Sequence, residues 1–139
     1  MYDDDLLVTS ASASDILAFK IGLSEKFDTR DLDDVTAFLN ISTEHRRGSY
    51  VFSQRGYTSR MLETFNMSNC NPAATPMDPA QLYNLTERKE RTANEARLMN
   101  HVPYCKLVGM LLYLSTHTRP DIAFSTGILT RNTSSPRPP

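Results

Sequence analysis

Tyr2-Asp3-Asp4-Asp5-Leu6-Leu7-Val8, directly after Met1, is the most informative stretch of the chain. Three adjacent carboxylates run directly into an apolar triplet. Leu6-Leu7-Val8 has the character of a short buried strand, which would put the aspartates at the tip of an apolar hairpin. Carboxylates so placed suit magnesium, a hard octahedral cation usually held by one or two carboxylates plus substrate phosphates. Two such ions flanking a phosphoryl group stabilise both the attacking and the leaving oxygens of an in-line displacement. An Asp-rich terminus by itself is more often a solvated end, so the weight falls on the residues downstream of it.

The apolar triplet gives way to a polar loop, Thr9-Ser10-Ala11-Ser12, and then to a helix expected from Ser14 to Phe27. Ile16, Phe19, Leu23 and Phe27 fall along one helical stripe. Ser12 and Asp15 have the form of a capping box, with Asp in the usual Glu place. Val35, Ala37, Phe38, Leu39 and Ile41 read as a strand, and Arg46-Arg47-Gly48-Ser49 as a hairpin turn into Tyr50-Val51-Phe52. From there the pattern is helical. Ser53 is the expected N-cap of a helix that places Tyr57, Met61 and Phe65 on one face. Asn69 to Pro79, with three prolines, is a loop. Gln81 to His101 is polar with few apolar anchors, which fits a solvated helix or a mobile excursion. Pro103 marks the next start. The helix from Tyr104 should bury Leu107, Val108, Leu111 and Leu114, with Gly109 allowing close packing. Pro120 restarts the chain, Ile122, Ser125 and Leu129 continue one stripe, and Pro136 to Pro139 reads as a frayed tail. The fold class is α+β.

In this order the motifs become specific. The chain has Asp31-Leu32-Asp33, Phe38-Leu39-Asn40-Ile41, Ser53-Gln54 with Tyr57, and Phe65-Asn66-Met67. It continues with Thr75-Pro76-Met77, Val108-Gly109 with Leu111 and Tyr113-Leu114, and Thr118-Arg119-Pro120-Asp121-Ile122. The set resembles the reverse transcriptase of copia-type retrotransposons from Tyr2 to about Arg131. The resemblance implies the end of a polymerase palm over residues 1–52 and a helical thumb-like region over 53–132; beyond it, 133–139 reads as a disordered tail. It implies that Asp4 and Asp5 are the catalytic, magnesium-binding pair of an RNA-directed DNA polymerase. Tyr2 would lie near the primer terminus, and Phe38, Leu39, Asn40 and Ile41 in the primer-holding hairpin. Plain core packing is an equal reading for Phe38 and Leu39. For Arg119 and Asp121 a cap with a local ion pair is the better reading than catalysis.

The implied partners are an RNA or DNA primer-template and deoxynucleoside triphosphates, together with fingers, the first part of the palm and ribonuclease H. A metal motif at the first residues is an unusual place for a self-contained domain's chemistry, so a piece of a longer enzyme, inactive alone, is expected. The alternatives are a non-catalytic nucleic-acid-binding module and an inert remnant of a decayed element. Several departures bear on the last. Asp3 adds a third carboxylate where the family has an apolar residue. Asp33, Asn40 and Asn66 stand where it has glycine, although Asp and Asn are the residues next most tolerant of left-handed backbone. Cys105 replaces an arginine and Asn132 an aromatic residue.

Charge is divided along the chain. Through Glu44 there are ten acidic and three basic residues, and from His45 onward twelve basic and six acidic, within a net charge of −1. This suits a metal-collecting end and a phosphate-facing end, or simply helix surfaces that differ. Cys70 and Cys105 have no zinc or redox spacing and read as free thiols. With no signal peptide and no apolar run near the roughly 20 residues of a membrane span, an intracellular setting, cytoplasmic or nuclear, is expected.

Overall fold

The computed structural model describes residues 5–80 and 92–138. The fold is mixed α+β, as expected, and the chain divides into two compact units, Met1–Ser53 and Gln54–Pro139. The first unit holds α1 (Ala13–Ser24) and a three-stranded antiparallel sheet in the order β1 (Ala37–Phe38), β2 (Ile41–Arg46), β3 (Ser49–Ser53). The second holds α2 (Arg55–Thr64), α3 (Ala93–Met99), α4 (Tyr104–His117), a 3-10 turn (Pro120–Ile122) and α5 (Ala123–Thr130).

Leu6-Leu7-Val8 is not the expected strand. Residues 5–10 have no regular structure, and Leu6 and Leu7 are 66% and 45% exposed. A strand exists only through its ladder, and the sheet of described residues contains β1 to β3 alone. Nor does α1 form a single stripe. Ile16 and Leu23 are half-buried, but Phe19 and Phe27 are exposed, as are Leu17 and Ile21 on its other faces. It is an apolar helix on all sides with no buried residue, a composition that suits a helix enclosed by neighbours.

Ser12 is the N-cap of α1 but makes no capping bond. Its hydroxyl pairs with Ser14 Oγ at 2.6 Å, while Asp15 Oδ2 accepts from Ser10 Oγ at 3.3 Å. The Asp side chain is one methylene short of the reach the motif needs. The complete capping box is at α3. There Glu95 N donates to Thr92 Oγ1 (3.2 Å) and Thr92 N to Glu95 Oε2 (2.7 Å). Glutamate at the third helical position supplies the missing length.

Both hairpin connections are two-residue turns with positive φ at each central residue. These are Leu39 (48°) and Asn40 (60°), then Arg47 (36°) and Gly48 (82°). That geometry matches the right-handed twist of paired strands. The turn at Gly48 is the expected one; the break at Leu39-Asn40 is not, because the apolar run from Val35 to Ile41 masks it. Alternation of side chains puts Thr43 and His45 on the sheet face shared with their partners Phe52 and Tyr50. The His45 and Tyr50 rings stack at 4.7 Å. Thr43 is buried, whereas Tyr50 and Phe52 are about half exposed.

The apolar core of the described residues lies wholly in the second unit: Met61, Met99, Val108, Leu114 and Ile128. Met61 sits between half-buried Tyr57 and Phe65 on the expected face of α2. Tyr104 Oη donates to Leu129 O at 2.9 Å, tying the start of α4 to the end of α5. Partial burial pushes the Tyr104 and Tyr57 phenols above their ordinary values. Ser53 is not the N-cap of α2 but the last residue of β3; Gln54 takes the cap position. Gly109 is exposed, and a Cβ there would meet nothing within 4 Å, so it serves no close approach. The last residues, 136–138, are half-buried.

Candidate functional site

Of the acidic motif only Asp5 lies in the described structure; Tyr2, Asp3 and Asp4 lie outside it. Asp5 is exposed on an irregular segment. Among the described residues no three His, Cys, Asp or Glu side chains come together to hold a metal ion. Asp5 is the one carboxylate of the acidic motif among the described residues.

Phe38, Leu39, Asn40 and Ile41 are brought together. They form one complete hairpin turn in which Phe38 pairs with Ile41 and the two residues between them carry left-handed backbone. Phe38, Leu39 and Ile41 are half-buried and Asn40 is exposed at the tip. Tight turns of this class favour Asn and Gly because each central φ is positive. Leucine at the first position is costly for an L residue with a branched side chain. A two-residue tip on a paired ladder presents a small contact surface. Its flanking strands hold it within a fixed register.

Besides Leu39 and Arg47, three described non-glycine residues have positive φ: Asp33 (59°), Asn40 (60°) and Asn66 (56°). They are the three that the sequence resemblance sets against glycine, and all three adopt a conformation that glycine tolerates readily. At Asp33 the backbone N–H donates to Asp31 Oδ1 at 3.1 Å, and the other oxygen of Asp31 pairs with Lys20 Nζ at 2.6 Å. That ion pair holds Asp31 below and Lys20 above their ordinary values. At Asn66 the chain leaves α2 through a Schellman motif. Met67 N donates to Leu62 O (2.7 Å) and Asn66 N to Glu63 O (3.1 Å), with Asn66 at the left-handed position.

Thr118-Arg119-Pro120-Asp121 forms a structural corner. Arg119 Nε and Nη2 grip Asp121 at 2.9 and 2.8 Å, the local ion pair expected of them. Each holds the other ionised, Arg119 above and Asp121 below its ordinary value. Thr118 Oγ1 donates to Gln54 Oε1 at 2.6 Å, joining the start of α2 to the end of α4. Gln54 is buried, and its Nε2 has no hydrogen-bond partner among the described residues. Both motifs are visible in the sequence, but their pairing is not. A glutamine beside a helix start in one motif and a threonine in the other was the available signal.

Comparison with known proteins finds relatives along nearly the whole chain. The family described as "Reverse transcriptase (RNA-dependent DNA polymerase)" matches residues 1–79. The retrovirus-related Pol polyprotein from transposon TNT 1-94 of Nicotiana tabacum is 35% identical over 98% of the chain, which covers 10% of that polyprotein. The Pol polyprotein from transposon RE2 of Arabidopsis thaliana is 30% identical over 94% of the chain and 8% of its own length. An uncharacterized mitochondrial protein of the same plant is 29% identical over 98% of the chain and 53% of its own length. No solved structure matches.

Proposed function

The chain belongs to the reverse transcriptase family of copia-type retrotransposon Pol polyproteins, and from that premise we propose that it carries the end of the palm and the thumb of such a polymerase. In this reading residues 1–52 are palm, residues 53–132 are thumb-like, and nucleotidyl transfer takes place in the intact enzyme. Asp4 and Asp5 would hold magnesium there, with further ligands from elsewhere in the polyprotein; the ion would supply charge stabilisation for phosphoryl transfer. Tyr2 lies beside the primer terminus. The Phe38–Ile41 turn supports the primer strand, and the helices of the second unit grip duplex through its phosphates, contacts that position without reading sequence.

The observation that carries this reading is the left-handed backbone at Asp33, Asn40 and Asn66. The sequence resemblance sets each against a glycine, and a shared left-handed backbone there supports the same backbone path through these turns. The chain spans about a tenth of the curated polyproteins it resembles, so primer-template and nucleotide substrates are proposed for the whole enzyme. Alone, the chain is expected to be inactive. The test is primer extension with two proteins, the purified chain and a chimera that places residues 1–139 in an intact copia-type polymerase. Extension is expected only from the chimera, and Asp5→Asn should abolish it. Magnesium-dependent extension by the isolated chain, lost in Asp4→Asn, would overturn the reading. So would a folded chimera indifferent to Asp5→Asn.

A further inference from the structure

The turn that closes β2 on β3 carries a chemistry that the polymerase reading does not use. Arg46-Arg47-Gly48-Ser49-Tyr50 places two guanidinium groups three and two residues before a serine, a side-chain-free residue next to it, and a large apolar residue after it. All five residues are exposed. We propose that Ser49 is a phosphorylation site for a basophilic protein kinase, with ATP as phosphoryl donor. This inference is independent of the polymerase reading.

Recognition depends on charge and access. A basophilic kinase offers carboxylates to guanidinium groups just upstream of the acceptor, and planar bidentate pairing makes arginine the favoured partner. To enter such a cleft the tip must open into an extended strand. The obstacles are few. The pairs to be released are Arg46 with Ser49 and His45 with Tyr50, at the end of the ladder. Arg47 sits at φ 36°, a backbone unfavourable for a residue with a side chain, and leaving the turn relieves it. Hairpin tips of this kind open locally at little cost compared with global unfolding.

The transfer balances simply. Ser49 Oγ, which donates to Arg46 O at 2.8 Å in the closed turn, attacks the γ-phosphorus. The bond from that phosphorus to the bridging oxygen breaks, ADP leaves with the electron pair, and the hydroxyl proton passes to the kinase's catalytic aspartate. The product has its own clamp. Ser49 lies directly opposite Arg46 on the same sheet face. Arg46 Nη2 now rests on Glu44 Oε2 at 2.7 Å, an exposed pair. A phosphate dianion with three acceptor oxygens competes favourably with one carboxylate for that guanidinium. Phosphorylation therefore moves Arg46 from Glu44 to Ser49 and brings a tip with two positive charges close to neutral.

The experiment uses the full chain, a purified basophilic serine/threonine kinase catalytic subunit and ATP, read by intact mass and tandem mass spectrometry. One phosphate on Ser49 is expected, with none there in Ser49→Ala and retention at the position in Ser49→Thr. Arg46→Ala and Arg47→Ala should each slow transfer about tenfold or more, the cost of losing a charge-assisted contact. In the phosphorylated chain the Glu44 carboxylate, held below its ordinary value by Arg46, should titrate higher by NMR. Incorporation unchanged in Ser49→Ala would overturn the proposal. Modification of the isolated peptide spanning Arg46 to Phe52 but not of the folded chain would overturn it equally, since the tip would then not open.

Discussion

Asn66 offers a test of the backbone argument in which the sign of the effect, as well as its size, is predicted. Residue 66 occupies the left-handed position of the Schellman motif that ends α2, at φ 56°. Two hydrogen bonds depend on that conformation, Met67 N to Leu62 O and Asn66 N to Glu63 O. Alanine there would carry a Cβ into a region that costs about 1–2 kcal/mol for an ordinary L residue. Asparagine already bears part of that cost, which leaves Asn66→Ala destabilising by about 1 kcal/mol. If the motif opens instead, each lost hydrogen bond adds about 0.5–1.5 kcal/mol. Asn66→Gly removes the steric cost but frees the unfolded chain by about 0.4–1 kcal/mol, and the two nearly cancel.

The expected order of stability at this site is therefore Gly close to Asn, both above Ala, with Val lowest. An ordinary right-handed helical position gives the opposite order, with Ala best and Gly worst. Urea unfolding followed by far-UV circular dichroism measures the difference, and m should not change among the variants. For a unit of this size about 1 kcal/mol corresponds to roughly 4–8 °C in Tm. Asn66→Ala equal to or more stable than the parent chain would refute the reasoning. It would mean that residue 66 is not left-handed in solution.

Gly109→Ala should stabilise α4 by about 0.5–1 kcal/mol, because the site is open and a helical glycine gives up backbone entropy for nothing; thermal unfolding would show it as a raised Tm. Thr118→Val should destabilise by about 1–3 kcal/mol, since it strands the buried Gln54 carbonyl oxygen, and a double-mutant cycle with Gln54→Met would isolate the pair. Asp121 has a folded pKa depressed by Arg119, so the pair's contribution is present above the ordinary carboxylate value and is lost as pH falls through the depressed one. Arg119→Gln should raise the Asp121 titration, followed by NMR, towards the ordinary carboxylate value.

The two units differ in what supports them. In the second, five apolar side chains are buried among the described residues, and hydrogen bonds at Tyr104 and Gln54 join elements far apart in sequence. In the first, α1 exposes Leu17, Phe19 and Ile21, and the sheet exposes Tyr50 and Phe52. Burial of apolar surface is the main driving force of folding, so the second unit should hold the higher local stability in hydrogen exchange.

Much of the backbone was legible residue by residue. The turn at Gly48, the helix start after Pro103, the proline at the 3-10 turn and the stripe of α2 arise from preferences that act within about four residues. So does the left-handed tolerance of Asp33, Asn40 and Asn66. A capping box was equally local, but Ser12 and Asp15 misled because one methylene decides whether the carboxylate reaches back. The family itself was legible for another reason: many short motifs in a fixed order do not need a structure to be recognised. The sequence could not decide anything that depends on a distant partner. Leu6 to Val8 are apolar enough for a strand but pair with none of the described strands. The apolar residues of α1 promise burial that neighbours must supply, and Gly109 looks like a packing residue until its surroundings prove empty. The bond from Thr118 to Gln54 joins residues 64 apart. Conformation is chosen locally, whereas burial and pairing are properties of what the rest of the chain brings near.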